Sequence, residues 1–297
     1  MDLHLLEIFR QAAREGSITQ TAKTLNYAQS NVTSKIQQLE ADMQTSLFYR
    51  HKHGITLTPA GHVLLSYTEK ILHTVAEART AVNDTSSPRG PLTIGSMETT
   101  AAVRLPDALA HYHRQYPHVD FSLITGATDQ LLQKVLHYEL DGAFVAGPVD
   151  HPELMQHKVM DEQLVLITSP DQPALPSVHE LHNRTMLVFR KGCSYRARLH
   201  MLLQDEGVLP VKMMEFGTLE TIIACVGAGM GISLLPLSIV AAYEAQGKVI
   251  SHALPVPYSA VDTLFVKRKD TLTTPALSAF LNEVAQHTTP TANNPDA

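Results

Sequence analysis

Three short apolar stripes at helical spacing, set close together in the first 43 residues, constrain this chain more than any other feature. Leu3, Leu5, Leu6, Phe9, Ala12 and Ala13 form the first stripe, and Gly16 ends it. Ser17 is a natural N-cap for a second helix that buries Ile18, Ala22 and Leu25 and stops around Asn26. A third helix, from about residue 28 to residue 43, buries Val32, Ile36, Leu39 and Met43. Residues 47–50 and 55–58 then read as two short strands around His51-Lys52-His53-Gly54. Helix, helix, turn, helix and hairpin make a winged helix-turn-helix over residues 1–58.

A longer helix is expected from Pro59 to about Asp84. Leu64, Ile71 and Ala78 recur every seven residues and interleave with Thr68, Val75 and Val82, while Leu65 and Leu72 widen the seam. With no evident partner in the chain, this stripe predicts dimerisation, the alternative being a helix packed on its own domain. Thr85-Ser86-Ser87-Pro88-Arg89-Gly90-Pro91 reads as a linker, so residues 59–90 form a linker helix and hinge.

Beyond residue 91 strands and helices alternate. Strands are expected at 92–95, 119–124 and 141–145, with helices near 101–115 and 128–138. A second group follows, with strands at 164–168, 186–189, 213–216 and 232–235 and helices near 195–206, 218–227 and 236–246. A strand at 262–267 and a helix at 275–287 close the pattern, and residues 290–297 read as a disordered tail. Such alternation predicts parallel α/β sheets in two lobes, lobe I from about 91–160 and 267–290, lobe II from about 161–266.

The net charge of −6 at first argues against a nucleic-acid partner, but residues 1–90 balance at +1 and residues 91–297 at −7. Charge is therefore neutral evidence for the N-terminal part, and motif must carry the argument. No apolar run is long enough for a transmembrane helix. Asp2, Glu7, Arg10 and Arg14 interrupt the apolar core that a secretory signal needs, and two cysteines, Cys193 and Cys225, suit a reducing compartment. A cytoplasmic protein is expected, with no membrane partner.

Gln29, Ser30, Asn31, Thr33, Ser34 and Lys35 cluster near the start of the third helix, where a recognition helix presents side chains to the major groove. Gln29 and Asn31 suit adenine edges, and the hydroxyls, Thr19 and Lys35 suit phosphates as well. On the wing, Arg50, His51, Lys52 and His53 suit backbone or minor-groove contact. A solvated polar helix face is the plainer alternative for each residue alone.

Phe9, Ala12-Ala13, Gly16-Ser17, Thr21-Ala22, Leu25, Ala28-Gln29-Ser30, Val32-Thr33, Ile36, Leu39-Glu40, Leu47-Phe48, Arg50 and Leu57-Thr58-Pro59-Ala60-Gly61 together resemble the LysR-type transcriptional regulators. The resemblance covers nearly the whole chain. It departs on the wing, where the family has a longer basic run and this chain has His51 and His53. It implies an α/β fold class: a winged helix-turn-helix, a long linker helix, and a two-lobed effector domain, residues 91–297, of the type 2 periplasmic-binding-protein kind. It further implies a homodimer or homotetramer on promoter DNA with an interrupted dyad, contact with RNA polymerase, and control by a small-molecule effector, by default an organic acid.

Strand ends that lead into helix N-termini make anion-favouring crevices, and four segments here qualify. They hold Ser96, Thr99 and Thr100; Thr128; Cys193, Tyr195 and Arg196; and Gly217 with Thr218. Simple capping is an equal reading for Thr99 and Thr100, and surface packing for Tyr195 and Arg196. Glu98 and Asp129 complicate a plain anion site. The resemblance adds Phe144 and Gly147-Pro148 as cleft walls.

Other motifs carry less. Val226-Gly227-Ala228-Gly229-Met230-Gly231 leads from a helix into a strand, the reverse of a dinucleotide-binding turn, so no cofactor is expected. His111, His113 and His118 read as a solvated helix face rather than a metal site. Cys193, near Lys191 and Arg196, is a candidate redox sensor, with packing or ligand contact the stronger reading. A transport solute-binding protein and an enzyme on the same scaffold are the alternatives. The helix-turn-helix opposes the first, and the lack of a nucleophile–base pair or paired carboxylates opposes the second, so no catalytic residue is assigned.

Overall fold

The computed structural model describes residues 2–82, 87–172, 181, 184–208, 212–256 and 258–288. They divide into two compact units, one built from the residues up to Val82 with His137–Glu139, the other from the remainder. Thr85 and Ser86 of the expected linker, and the expected tail at 290–297, lie outside the described residues.

In the first unit, α1 (Leu3–Glu15) is capped by Asp2, whose carboxylate accepts from the His4 N–H at 3.2 Å. Gly16 takes a left-handed conformation at φ 62° and ends it. Ser17 caps α2 (Ile18–Thr24), and α3 (Gln29–Met43) buries Val32, Ile36 and Leu39 against Leu5, Leu6, Ile8, Phe9 and Ala12 of α1. The wing is an antiparallel hairpin of β1 (Phe48–His51) and β2 (Gly54–Leu57). It is docked by the Ile55 N–H, which donates to the Gly16 carbonyl at 2.8 Å. Gly54, at φ 141°, allows this approach, since a Cβ there would collide with that carbonyl.

The helix α4 (Pro59–Val82) follows, and here one expectation changes. Leu64, Leu65, Ile71 and Leu72 pack against the core of the same unit, so most of the stripe has an intrachain partner. Glu69, only 5 % exposed, binds Arg10 at 3.4 Å and Arg14 at 3.0 Å and ties α4 to α1.

In the second unit a sheet runs in the order β10 (Ile250–Ala253), β6 (Leu154–Thr168), β11 (Ala260–Arg268), β5 (Gly142–Ala146), β3 (Gly90–Ser96), β4 (Val119–Thr125), with β9 (Ser233–Pro236) also on β6. β3 pairs parallel with β4 and β5, but β11, β6, β9 and β10 pair antiparallel. The expected parallel sheets are thus corrected to a mixed main sheet, parallel at β3, β4 and β5 and antiparallel beyond. Residues 147–153, 254–256, 258 and 259 carry no helix, and without a crossover helix the following strands can pair antiparallel. β7 (Thr185–Phe189) and β8 (Lys212–Phe216) form a separate parallel pair.

The first lobe closes its core with α6 (Pro106–Gln115) and α11 (Pro275–Thr288) around Phe144, Phe265 and Phe280. The second packs α9 (Leu219–Gly227) and α10 (Leu237–Ala245) on Ile167, Leu187 and Leu235. β6 serves both: residues 154–163 pair with β11 and residues 164–168 with β9 and β10. The lobe boundary expected at 266/267 falls inside β11, whose 263–266 stretch pairs with β5. The single helix expected near 101–115 is two, α5 (Glu98–Val103) and α6, because Pro106 cannot continue a helix and sits at the start of the next. α7 (Thr128–Leu136) and α8 (Ser194–Asp205) complete the unit.

Candidate functional site

Burial of Val32, Ile36 and Leu39 turns the opposite side of α3 to solvent, where Gln29, Ser30, Asn31 and Ser34 are exposed and Thr33 and Lys35 partly so. The Thr33 hydroxyl donates to the Gln29 carbonyl at 2.9 Å, which orients its oxygen as an acceptor. Thr19 is exposed one residue into α2. On the wing, Arg50 lies 3.6 Å from Glu40, and His51 Nε2 lies 2.9 Å from the Thr56 hydroxyl. Sequence reasoning overlooked the role of Glu40. One of its oxygens accepts from the Leu47 N–H at 2.8 Å and the Phe48 N–H at 3.3 Å, so a carboxylate on α3 sets where the wing begins.

The second unit holds a cavity of about 210 Å³ lined by Glu98, Thr99, Gly126, Thr128, Gln130, Phe189, Arg190, Cys193, Tyr195, Phe216 and Gly217. Among the expected residues, Thr99, Thr128, Cys193, Tyr195 and Gly217 meet here. Gly147 lines a second, wider opening of about 560 Å³ that shares Thr128 and Cys193.

Four expected residues stand elsewhere. Ser96 is fully buried and donates to the Met97 carbonyl at 3.0 Å. Thr100 is buried one residue past the cavity, on the inner side of α5. Phe144 is a core residue with ring centroids 5.0 Å from Phe265 and 6.2 Å from Phe280, because its strand is buried on both faces. Thr218 caps α9, accepting from the Thr221 N–H at 3.4 Å.

The cavity walls are joined by polar contacts across the lobes. Thr99 Oγ1 and Tyr195 Oη are 3.1 Å apart, and Ser194 donates to Thr128 Oγ1 at 3.0 Å. Glu98 accepts from the Leu219 N–H at 3.0 Å, so its carboxylate caps α9 and stands engaged at that helix N-terminus. Arg196 is engaged by Glu215 at 2.7 Å. Arg190, not singled out in the sequence, lines the cavity and, among the described residues, has no carboxylate within ion-pair distance. A Cβ on Gly217 would stand 3.2 Å from its guanidinium, so glycine leaves that side chain room. Burial raises the Cys193 thiol pKa, with the Arg196 and Tyr195 N–H groups of α8 partly opposing, and burial likewise raises the Tyr195 phenol.

An exposed polar helix in a winged helix-turn-helix, joined to an α/β unit with a cavity between its lobes, defines a ligand-responsive DNA-binding regulator. The comparisons agree. Residues 3–62 match the bacterial regulatory helix-turn-helix protein, lysR family, and residues 85–289 match the LysR substrate binding domain. The chain belongs to the LysR family of transcriptional regulators and is a regulator, not an enzyme. It is 61 % identical over 287 residues to the HTH-type transcriptional regulator GltR of Bacillus subtilis (strain 168), covering 97 % of each chain. It is 44 % identical to the HTH-type transcriptional regulator CzcR of Bacillus anthracis, over 97 % of this chain and 98 % of that one. In fold it is similar to a full-length OxyR variant from Pseudomonas aeruginosa, with a TM-score of 0.73 at 22 % identity over 98 % of both chains. It is also similar to full-length CbnR in complex with its target DNA, with a TM-score of 0.66 at 23 % identity over 97 % of this chain and 100 % of that one. Among the described residues no helix is long and apolar enough to cross a membrane.

Proposed function

We propose that this regulator works in the cytoplasm as a dimer, or as a pair of dimers, on promoter DNA with an interrupted dyad, and that a small organic anion is its effector. The reading of the anion rests on Arg190 above all. A guanidinium facing a cavity that also offers the Thr99 and Thr128 hydroxyls suits a carboxylate, and Glu98, the acid that lines the same cavity, is engaged at α9. Thr19, Gln29, Ser30, Asn31, Thr33, Ser34 and Lys35 are assigned to the major groove and its phosphates, and Arg50 and His51 to the flanking backbone. Val63 and Tyr67, one turn apart on α4 and each 60 % exposed, support a second copy along that helix. Effector binding then shifts the DNA-bound arrangement, and with it contact to RNA polymerase, by its differential affinity for two states.

The test is titration of the full-length protein with small carboxylates, and with amines and neutral sugars of similar size, followed by thermal shift and calorimetry. A carboxylate that binds should lose roughly tenfold or more in affinity in Arg190→Gln, since a hydrogen bond to a charged group contributes about 1.5–3 kcal/mol. Binding of amines in preference to acids, or binding indifferent to Arg190→Gln, sinks the reading.

A further inference from the structure

On the outside of the first lobe, away from the residues that line either cavity, an imidazole of α6 meets a carboxylate and an imidazole of α11, far from it in sequence. Glu283 and His287 are four residues apart on one face of α11, and His111 faces them from α6. The nearest ligating atoms of all three residues lie within 4.8 Å of one another. His111 Nδ1 is 3.2 Å from Glu283 Oε2, and the two imidazole rings are 5.2 Å apart, centre to centre.

Two details distinguish this group from an ordinary surface pair. Glu283 is only 6 % exposed, and among the described residues its Oε2 is fully enclosed with no hydrogen-bond partner, although His111 Nδ1 is within reach. A buried carboxylate oxygen without a donor is costly, and a cation is one way to satisfy it. His287 Nδ1 lies 2.8 Å from the Glu283 backbone carbonyl. A carbonyl can only accept, so Nδ1 carries the proton and Nε2 keeps its lone pair, which is how metal-binding histidines are commonly oriented.

From these observations we propose that His111, Glu283 and His287 form a binding site for a borderline divalent transition-metal ion of the zinc class. Two imidazole nitrogens with one carboxylate oxygen disfavour calcium and magnesium, which prefer all-oxygen shells. Metal–ligand bonds of about 2.0–2.2 Å in a tetrahedron place ligand atoms roughly 3.3–3.6 Å apart, so the side chains, one ligand atom of each now within 4.8 Å of the others, turn inward to close the site and leave one position for water. The exposed imidazoles give the ion a path in from solvent. Bound there, it staples α6 to α11, the pair already joined by the Tyr112 hydroxyl donating to the Ala276 carbonyl at 2.8 Å.

Full-length protein is titrated with Co²⁺ in the visible range, then with Zn²⁺ as competitor, and its melting temperature is followed with Zn²⁺ and with Mg²⁺. One Co²⁺ per chain is expected, displaced by Zn²⁺, with melting raised by roughly 5 °C by Zn²⁺ and unmoved by Mg²⁺. His111→Gln and His287→Gln should each weaken Co²⁺ binding at least tenfold while melting normally without metal, because both side chains are exposed. His113→Gln, on the same helix outside the cluster, should bind as the parent does. No Co²⁺ absorption, or absorption that both cluster variants retain, overturns the proposal. So does an equal loss in His113→Gln.

Discussion

Thr99 Oγ1 and Tyr195 Oη, 96 residues apart in sequence, meet at 3.1 Å in the wall of the cavity, one from each lobe. Both side chains are buried, so their hydroxyls have little water to turn to. In Tyr195→Phe the Thr99 hydroxyl loses its partner, at a cost of about 1 kcal/mol. Melting of the variant should fall by roughly 2–4 °C. Effector affinity should change with it, since both residues line the cavity. Calorimetry on the variant that shows neither change would remove this pair from the effector site.

The wing depends on Glu40. In Glu40→Ala the N–H groups of Leu47 and Phe48 lose their acceptor and Arg50 loses its neighbour. A loss of about 1–3 kcal/mol is expected in the N-terminal unit. DNA affinity should drop although no residue assigned to the groove has been altered. Chemical denaturation and filter binding measure the two effects separately.

Gln29→Ala should cost about 1–3 kcal/mol against the specific site and little against random DNA, as expected for a base contact. Lys35→Ala should weaken both and reduce the salt slope. Unchanged footprints in both variants would show that another face of the unit meets the DNA.

Cys193 is half-buried in the cavity wall, where burial raises its thiol pKa, so little thiolate forms at neutral pH. Alkylation under native conditions should be much slower than in the unfolded chain, and modest peroxide should leave DNA binding unaltered. Rapid, selective oxidation of Cys193 in the folded protein would restore the sensor reading.

Half-buried His252, 2.9 Å from the Thr168 hydroxyl, has its pKa lowered by burial, with Glu244 partly opposing. Its folded value lies below the ordinary 6.5, so the unfolded chain binds the proton more readily. Stability is therefore retained above pH 6.5 and lost as pH falls through that value toward the folded one. Melting curves between pH 7.5 and 5 should show a shallower decline in His252→Gln than in the parent.

The chain's local chemistry settled much of this protein in advance. Stripes at helical spacing, Gly16 and Ser17 as stop and cap, and the polar start of α3 define a winged helix-turn-helix, because each signal acts within a turn or two of chain. What depends on distant partners was not legible. Only the last third of β6 showed as a strand, since residues 154–163 are largely exposed and take their order from β11, a hundred residues later. Phe144 looked like a cleft wall until packing against Phe265 and Phe280 placed it in the core. Arg190 gains its role from the cavity around it, and Glu283 meets His111 only because α11 returns to α6. Periodicity reports which side of an element is buried. Which residues face each other across that burial is decided by the topology that closes the sheet.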